Sequence, residues 1–180
     1  MLDAENIPLA ERMRPKNLDS YLGQTHLIGK GSILKRAAEN ASLPSMILWG
    51  PPGVGKTTLA RILAEKSGLP FHQLSAINSG VKEVREVIYR AKSGGMFAGK
   101  AILFIDEIHR FSKSQQDSLL GAVEQGLVVL IGATTENPSF EVIPALRSRC
   151  QIYVLNHLTH DEMRKVGNFC RKPSEGNLQV

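Results

Sequence analysis

A glycine-rich segment at residues 50–57 constrains the fold of this 180-residue chain more than any other feature. It reads GPPGVGKT and satisfies the G-x-x-x-x-G-K-[ST] pattern of loops that bind phosphate. An apolar run at residues 46–49 precedes it, and a helical pattern of apolar residues begins at Lys56. Because such loops join a strand to the N-terminus of a helix, the segment predicts a strand, a phosphate-binding loop and a helix in that order.

Apolar runs and helical patterns alternate along most of the chain. The run at residues 101–105 is almost wholly apolar, as in a central parallel strand with both faces covered. The alternation predicts an α/β fold in three layers, with a five-stranded parallel sheet and right-handed crossovers. Strands are expected at residues 46–49, 71–74, 101–105, 127–131 and 152–155, and helices at residues 32–40, 56–67, 81–92 and 114–124.

Composition narrows the class of protein. With 42% hydrophobic residues, 16 Gly, 9 Pro and 2 Cys, the chain fits one globular domain rather than a disordered, collagenous or disulfide-rich protein. No apolar stretch approaches the roughly 20 residues of a membrane-spanning helix, and residues 1–11 lack a signal-peptide pattern. We therefore expect a cytoplasmic protein with no membrane partner. Cys150 and Cys170 lack C-x-x-C or zinc-ligand spacing and are expected to be free thiols.

The balance of charge leaves the choice of partner open. The formal net charge is +5, from 22 Lys and Arg against 17 Asp and Glu. A basic balance permits a polyanionic partner such as nucleic acid, but many basic domains simply carry solvated lysines. Charge alone does not decide between them.

The glycine-rich segment is expected to bind ATP together with Mg²⁺. Glycines let successive backbone N–H groups curl around phosphate oxygens, and the positive end of the following helix adds to the field. Lys56 is expected to reach the β- and γ-phosphates, and the Thr57 hydroxyl to ligate Mg²⁺. A glycine-rich turn with an accidental lysine is the alternative, which the flanking strand and helix disfavour. The predicted nucleotide-binding residues are Gly50, Pro51, Pro52, Gly53, Val54, Gly55, Lys56, Thr57 and Thr58.

Two carboxylates, Asp106 and Glu107, follow the apolar run at residues 101–105. They stand at the C-terminal end of a predicted strand, the side on which open α/β sheets bind ligands. Asp106 is predicted to hold Mg²⁺ through its water shell. Glu107 is predicted to point elsewhere, because strand side chains alternate, and to act as general base on the attacking water. The alternative is a pair of surface acids.

The acid pair also bears on the reaction class. A base aimed at water favours ATP hydrolysis, because a kinase needs its acid to meet a substrate hydroxyl. No N-K-x-D run is present, which disfavours a GTPase.

A small polar cluster at residues 132–140 follows the predicted fourth strand. Asn137 is the first candidate, and Thr135 the second, for orienting the attacking water and sensing the γ-phosphate. The sequence does not separate them, and plain turn formation at Asn-Pro is the alternative for either.

Two arginines, Arg147 and Arg149, precede the predicted last strand. A guanidinium suits the charge that spreads over the γ-phosphoryl oxygens in the transition state. If these residues lie far from their own phosphate loop, they serve the ATP of a neighbouring subunit, and hydrolysis then depends on assembly. Arg149 is the predicted catalytic arginine. A helix-ending salt bridge is the alternative and applies more readily to Arg147.

Together these residues resemble the AAA+ ATPases, and within them the clamp-loader-like branch, whose Ser-Arg-Cys motif matches residues 148–150. The match is closer to the replication-associated recombination protein A family, whose eukaryotic relative is the Werner helicase-interacting protein. It rests on IDEIHRF at residues 105–111, KSQQD at residues 113–117 and GATTENPSF at residues 132–140. Residues 8–15 and 23–24 are similar to that family's adenine-side segment.

This resemblance implies a Mg²⁺-dependent, DNA-stimulated ATPase of replication-fork maintenance and recombination, which acts on single-stranded DNA, DNA ends or forks. It also implies single-strand-binding protein as a partner, a homotetramer, and a cytoplasmic, nucleoid-associated location. The alternative is a nucleotide-gated binding or assembly module with little hydrolysis. A small-molecule kinase is disfavoured by Glu107 and the Arg149 motif.

The resemblance also divides the chain into three parts. These are an N-terminal arm on the adenine side at residues 1–28, the ATPase core at 29–156, and the start of a helical lid with a polar tail at 157–180. Because the family continues into a full lid and an oligomerisation domain, we expect an N-terminal fragment with weak turnover. The capping-box pattern at residues 159–162 predicts a last helix with Met163 and Val166 facing inward.

A few further residues are candidates for contacts. His26 is a candidate to flank the nucleotide base. His109 and Arg110 follow the predicted base directly, so either could couple DNA contact to it, and a packed turn is the alternative. Lys82, Arg110 and Lys113 are candidate DNA contacts that would bind phosphates rather than read bases.

Overall fold

Five parallel strands form one sheet at the centre of the fold, which confirms the predicted α/β architecture. A computed structural model describes residues 14–76, 80–93 and 100–171. The strand order across the sheet is β2-β3-β4-β1-β5. The strands are β1 at Met46–Trp49, β2 at Phe71–Ser75, β3 at Ala101–Asp106, β4 at Val128–Thr134 and β5 at Gln151–Val154.

Helices lie between and beside these strands. A single 3₁₀ turn at Ile108–Arg110 follows β3. None of the helices in the described ranges is both long enough and apolar enough to cross a lipid bilayer. The helices are α1 at Thr25–Ile28, α2 at Ile33–Glu39, α3 at Lys56–Ser67, α4 at Val81–Ser93, α5 at Lys113–Glu124, α6 at Pro138–Glu141, α7 at Pro144–Arg147 and α8 at His160–Arg171.

The two faces of the sheet are buried in two separate apolar clusters. On β3, Phe104 packs into the cluster that contains residues of α2 and α3, and Leu103 packs into the cluster that contains residues of α4 and α5. Both side chains are fully buried. Successive strand residues point to opposite faces, so helices cover both sides and the predicted three layers are confirmed.

The fourth strand is longer than the sequence predicts. The pattern predicts a strand over residues 127–131, but β4 continues to Thr134, and Gly132 pairs with Ile47 of β1. A Cβ atom on Gly132 would lie 2.9 Å from Cδ1 of Ile108. The glycine therefore makes room for a packed side chain, whereas from sequence it suggests a loop.

The described part of the predicted N-terminal arm packs against the core. In the described part, from residue 14 onward, it contains α1, and Leu18, Tyr21 and Leu27 are buried in the same cluster as α2 and α3. Residues 1–13 of the predicted arm lie outside the described residues. The arm is thus held to the core by apolar side chains that show no helical or strand period.

The last helix begins with the predicted capping box but does not bury the predicted face. The Thr159 N–H donates to Glu162 Oε2 at 2.7 Å, and the Glu162 N–H donates to Thr159 Oγ1 at 3.3 Å. The prediction that Met163 and Val166 face inward is wrong, because they are 51% and 40% exposed. Neither belongs to the two buried clusters.

Cys150 is a free thiol, as predicted. Burial raises its pKa to about 11, so it is protonated at neutral pH and a poor nucleophile. The side chain of Cys170 lies outside the described residues.

Candidate nucleotide-binding site

The carboxyl ends of β1, β4 and β3 bring the predicted site residues to one edge of the sheet. Trp49 at the end of β1 pairs with Thr134 at the end of β4, and Ile105 of β3 pairs with Gly132 of β4. The glycine-rich loop, the polar cluster and the acid pair follow these three neighbouring strands. Their meeting at one edge is what parallel pairing predicts.

The glycine-rich loop is curled and held from two sides. Gly53 and Gly55 have φ of +76° and +92°, which favour glycine. A Cβ on Gly55 would lie 2.8 Å from the hydroxyl oxygen of Tyr21, and that hydroxyl donates to the carbonyl of Val54 at 3.2 Å. The Gly50 N–H donates to the carbonyl of Thr134 at 3.1 Å. The loop is therefore held in its curled shape by Tyr21 on one side and Thr134 on the other.

Helix α3 begins directly at the loop. Within residues 50–58, all of which are described, no side chain caps its first turn, because the preceding Gly55 has none. The first N–H groups of a helix have no partner inside the helix. Lys56, Thr57 and Thr58 form this first turn, so its N–H groups and the helix dipole are available to an anion.

Lys56 is a desolvated cation inside the loop. The residue is 8% exposed, and Nζ donates to the carbonyl oxygens of Gly50 at 2.6 Å and Pro51 at 2.7 Å. Burial lowers the pKa of Lys56, and the charges of Asp106 and Glu107 oppose that shift. The ammonium is thus close enough to both carboxylates to feel their charge, and a phosphate would compensate its lost hydration.

Glu107 takes its direction from a turn rather than from strand alternation. Strand β3 ends at Asp106, and Glu107 has φ of +57°, a left-handed conformation that is uncommon outside glycine. Its Oε2 accepts from Nε of Arg110 at 3.2 Å and lies 3.3 Å from Nε2 of His109. Strained backbone of this kind concentrates at functional sites.

His109 bridges the ends of β3 and β4. Its side chain is 12% exposed, and Nδ1 lies 3.0 Å from Oγ1 of Thr134. Thr134 is fully buried, and its hydroxyl accepts from the N–H of Glu136 at 3.0 Å. Thr134 is not among the predicted site residues, because the strand predicted over residues 127–131 ends three residues before it.

Thr135 and Asn137, which the sequence does not separate, lie in different surroundings. Asn137 caps α6, and its Oδ1 accepts from the N–H of Ser139 at 2.9 Å. Thr135 lies on the wall of a cavity beside the start of the loop. That cavity has a volume of about 410 Å³ and is lined by Trp49, Gly50, Pro51, Thr135, Val154, Leu155, Asn156 and His157.

His157 is a lining residue that sequence reasoning missed. It follows β5 after a gap of two residues and carries no motif that would mark it. Only the adjacency of β5 to β1 places it near the loop.

The segment around Gly23 closes on the same cavity. Gln24 exchanges two hydrogen bonds with the backbone of Asn156, at 2.7 and 2.9 Å. His26 Nε2 lies 2.9 Å from the carbonyl oxygen of Val154. Both backbone partners belong to cavity-lining residues. This placement is compatible with the expected adenine-side role of the segment.

Arg149 lies near the amino-terminal ends of the strands, whereas the loop lies at their carboxyl-terminal ends. Gln151, two residues later, pairs with Met46 at the start of β1, and the loop follows the end of β1, about 10 Å further along the strand. Arg149 Nη2 lies 2.6 Å from Glu124 Oε1. The structure therefore does not bring Arg149 to its own loop. Arg147 donates from Nη1 to the carbonyl of Ser139 at 2.5 Å, a structural contact.

A parallel sheet with a phosphate loop after β1 and an acid pair after β3 defines a P-loop nucleoside triphosphatase. Residues 46–158 match the family described as ATPase family associated with various cellular activities (AAA), and the chain belongs to this family.

Particular relatives are similar over most of the chain. It is 54% identical over 159 residues to the replication-associated recombination protein A of Haemophilus influenzae, covering 88% of this chain and 36% of that protein. It is 52% identical over 156 residues to the ATPase WRNIP1 of Dictyostelium discoideum, covering 87% of this chain and 18% of that protein. The chain thus spans about a third of the first of these relatives and less of the second.

A solved structure shares the fold. The RuvB Holliday junction branch migration motor of Thermotoga maritima superposes with a TM-score of 0.71 and 32% identity, over 87% of this chain and 53% of that chain.

Proposed function

We propose that this chain binds and hydrolyses ATP with Mg²⁺, is stimulated by DNA, and acts in replication-fork maintenance and recombination. The observation that carries the proposal is the desolvated ammonium of Lys56, held in a curled glycine loop and within electrostatic reach of Asp106 and Glu107. The likeness to proteins named for replication-associated recombination and branch migration supports the DNA part.

The residues present fit a magnesium nucleotide. The first turn of α3 has uncapped N–H groups for phosphate oxygens. The Thr57 hydroxyl would ligate Mg²⁺, and the Asp106 carboxylate would hold it through its water shell; both are the hard oxygen groups that Mg²⁺ prefers. When bound, the metal neutralises charge on the β- and γ-phosphate oxygens.

Glu107 is proposed to take a proton from the attacking water, and Thr135 to orient that water. The carboxylate of Glu107 is braced by His109 and Arg110, and His109 is in turn held by Thr134. This bracing fixes the base relative to the end of β4. Thr135 is preferred to Asn137 because it shares a cavity wall with Gly50 and Pro51, whereas the Asn137 side chain caps a helix.

Arg149 is proposed to serve the ATP of a neighbouring subunit. Its position near the amino-terminal ends of the strands favours this role over one at its own loop. The same position favours a second candidate function, a nucleotide-gated binding or assembly module that hydrolyses little when alone. A guanidinium supplied from a partner can raise the rate by about 10³- to 10⁵-fold.

The likeness to the replication-associated recombination proteins also supports four further proposals. They are a homotetrameric assembly, single-strand-binding protein as a partner, a cytoplasmic, nucleoid-associated location, and a division into residues 1–28, 29–156 and 157–180. The family match at residues 46–158 lies mostly within the proposed core.

Turnover with and without DNA tests the proposed function. Phosphate release from Mg²⁺-ATP is measured without DNA, with a single-stranded oligonucleotide and with a forked duplex, and the Glu107→Gln protein supplies the background. We expect hydrolysis above background that rises with DNA. ATP binding with turnover at background under all three conditions would support the nucleotide-gated module instead.

A mixing experiment tests the sharing of Arg149. Glu107→Gln protein lacks the base but keeps the arginine, and Arg149→Ala protein lacks the arginine but keeps the base. We expect each alone to hydrolyse ATP at or near background and the mixture to recover activity, because mixed interfaces combine an intact base with an intact arginine. The matched control is an Arg147→Ala protein mixed with the Glu107→Gln protein. No recovery in any ratio would contradict the sharing of Arg149 between subunits.

A further inference from the structure

Helix α4 carries an exposed aromatic residue on a basic face. Tyr89 is 71% exposed, whereas Val84 and Val87 of the same helix are buried in the core. Spacings of three and four residues place side chains on one helical face. Lys82, Arg85, Glu86, Tyr89 and Arg90 line a surface depression of about 570 Å³.

The charge of this face suits a polyanion. Three of its five residues are cationic and one is a carboxylate. Arg85 and Lys82 lie one turn apart on the side of the helix away from Val84. A row of cations on a surface helix attracts phosphates at spacings that do not depend on base sequence.

The face continues towards the nucleotide edge. Strands β2 and β3 are neighbours, and the N–H of Ala76 donates to the carbonyl of Asp106 at 3.1 Å. Helix α4 packs against α5. The first turns of these two helices, with Lys82 and Lys113, therefore follow adjacent strands at the edge where Glu107 lies. Tyr89 stands about 10 Å along α4 from Lys82.

We infer that this face of α4 binds single-stranded DNA, with Lys82 and Arg85 on phosphates and the Tyr89 ring stacked on a base. An exposed aromatic between cations is the arrangement by which proteins bind single strands without sequence preference. Bases inside a duplex are already stacked and offer no free face to the ring. An acidic protein segment would satisfy the cations but would leave the ring in water.

The inference rests on the proposed DNA-stimulated function and names the residues and the form of DNA. Lys82 was a candidate from sequence as a phosphate contact, but Tyr89 and Arg85 carry no motif. Their common face becomes visible only once Val84 and Val87 are known to be the buried side of the helix.

The test compares a single strand with a duplex. Fluorescence anisotropy of labelled oligo(dT) and of a duplex of equal length is measured with the whole 180-residue chain at one fixed salt concentration. We expect Tyr89→Ala to weaken oligo(dT) binding by about tenfold, because stacking of one base is lost, and to leave duplex affinity nearly unchanged. Tyr89→Phe keeps the ring and should bind like the wild type.

Phe140 offers a matched control, since it is 85% exposed but lies on α6. Phe140→Ala should bind oligo(dT) like the wild type. Equal affinity of Tyr89→Ala and wild type for oligo(dT), or equal losses on single strand and duplex, would overturn the inference. If the wild type binds oligo(dT) and its turnover responds to DNA while Tyr89→Ala is unchanged, only this inference fails. If the wild type shows neither binding nor response, the DNA part of the proposed function fails with it.

A second variant reports stacking directly. The chain has one Trp, Trp49, so the wild type supplies the background for Tyr89→Trp. We expect oligo(dT) to quench the added fluorescence and heparin, a polyanion without bases, to leave it unchanged. Equal quenching by heparin would show that charge alone brings the ligand to this face and would contradict stacking.

Discussion

Lys56→Ala abolishes ATP binding at nucleotide concentrations that saturate the wild type, with a loss of affinity of about 100-fold or more. Each hydrogen bond to a charged group contributes about 1.5–3 kcal/mol, and the ammonium is expected to contact two phosphates. Among the hydrogen bonds of the described residues, the partners of this ammonium are the carbonyls of Gly50 and Pro51. Titration with a fluorescent ATP analogue measures the loss.

Lys66→Ala is the control for this result. Lys66 lies in the last turn of the same helix, and its side chain is 37% exposed in an ion pair with Glu39 at 3.5 Å. Its removal should leave ATP affinity unchanged. Circular dichroism of both variants separates lost binding from lost folding. Equal ATP affinity in Lys56→Ala and wild type would refute the phosphate loop.

The pH dependence of ATP binding follows from the same lysine. Burial lowers the pKa of Lys56, so its charge is lost at a lower pH than that of an exposed lysine. ATP binds the charged form, so affinity falls as the pH rises through the pKa of Lys56 in the free protein. Bound phosphates favour the charged form and so raise the pKa of Lys56. Between the pKa of Lys56 without ATP and its higher pKa with ATP, binding therefore takes up a proton.

Glu107→Gln retains ATP but reduces hydrolysis by about 10²- to 10⁴-fold, because an amide of the same shape cannot accept the proton of the attacking water. The substitution keeps the loop, Lys56 and the charge of Asp106, so nucleotide affinity should stay near that of the wild type at a pH where Lys56 is charged. Phosphate release and nucleotide titration are measured on the same preparation.

Glu141→Gln is a matched control for the charge change. Glu141 is an exposed carboxylate at the end of α6, and its removal should leave turnover unchanged. If Glu107→Gln turned over ATP at the wild-type rate, another group would have to be the base. If it lost ATP binding as well, Glu107 would act on binding rather than on the chemical step.

The position of the glycine-rich loop between β1 and α3 could be predicted because its determinants are local. Strand β1 and helix α3 begin and end where the sequence predicts, at residues 46–49 and 56–67. The glycines set the curl of the loop, the apolar run before it forms β1, and Gly68 ends α3. Each of these signals acts on adjacent residues of the sequence. The meeting of loop and acid pair followed from a general rule for parallel sheets.

The rest of the site depends on contacts between distant segments. Strand β4 continues through Gly132, where the Ile108 side chain fills the space that a Cβ would occupy, and no local pattern shows this contact. Three other features also depend on contacts between distant segments. They are the left-handed backbone of Glu107, the contact of His109 with Thr134, and the different surroundings of Thr135 and Asn137. The outward face of α8 was mispredicted because helical spacing identifies an apolar stripe but not what covers it.

Amide hydrogen exchange with and without Mg²⁺-ATP tests the central claim most directly. The measurement uses the Glu107→Gln protein, which keeps the nucleotide intact during labelling. We predict slower exchange of the backbone N–H groups at residues 53–58, together with the ends of β3 and β4. Unchanged exchange in the loop at saturating ATP, with protection elsewhere in the chain, would contradict the account.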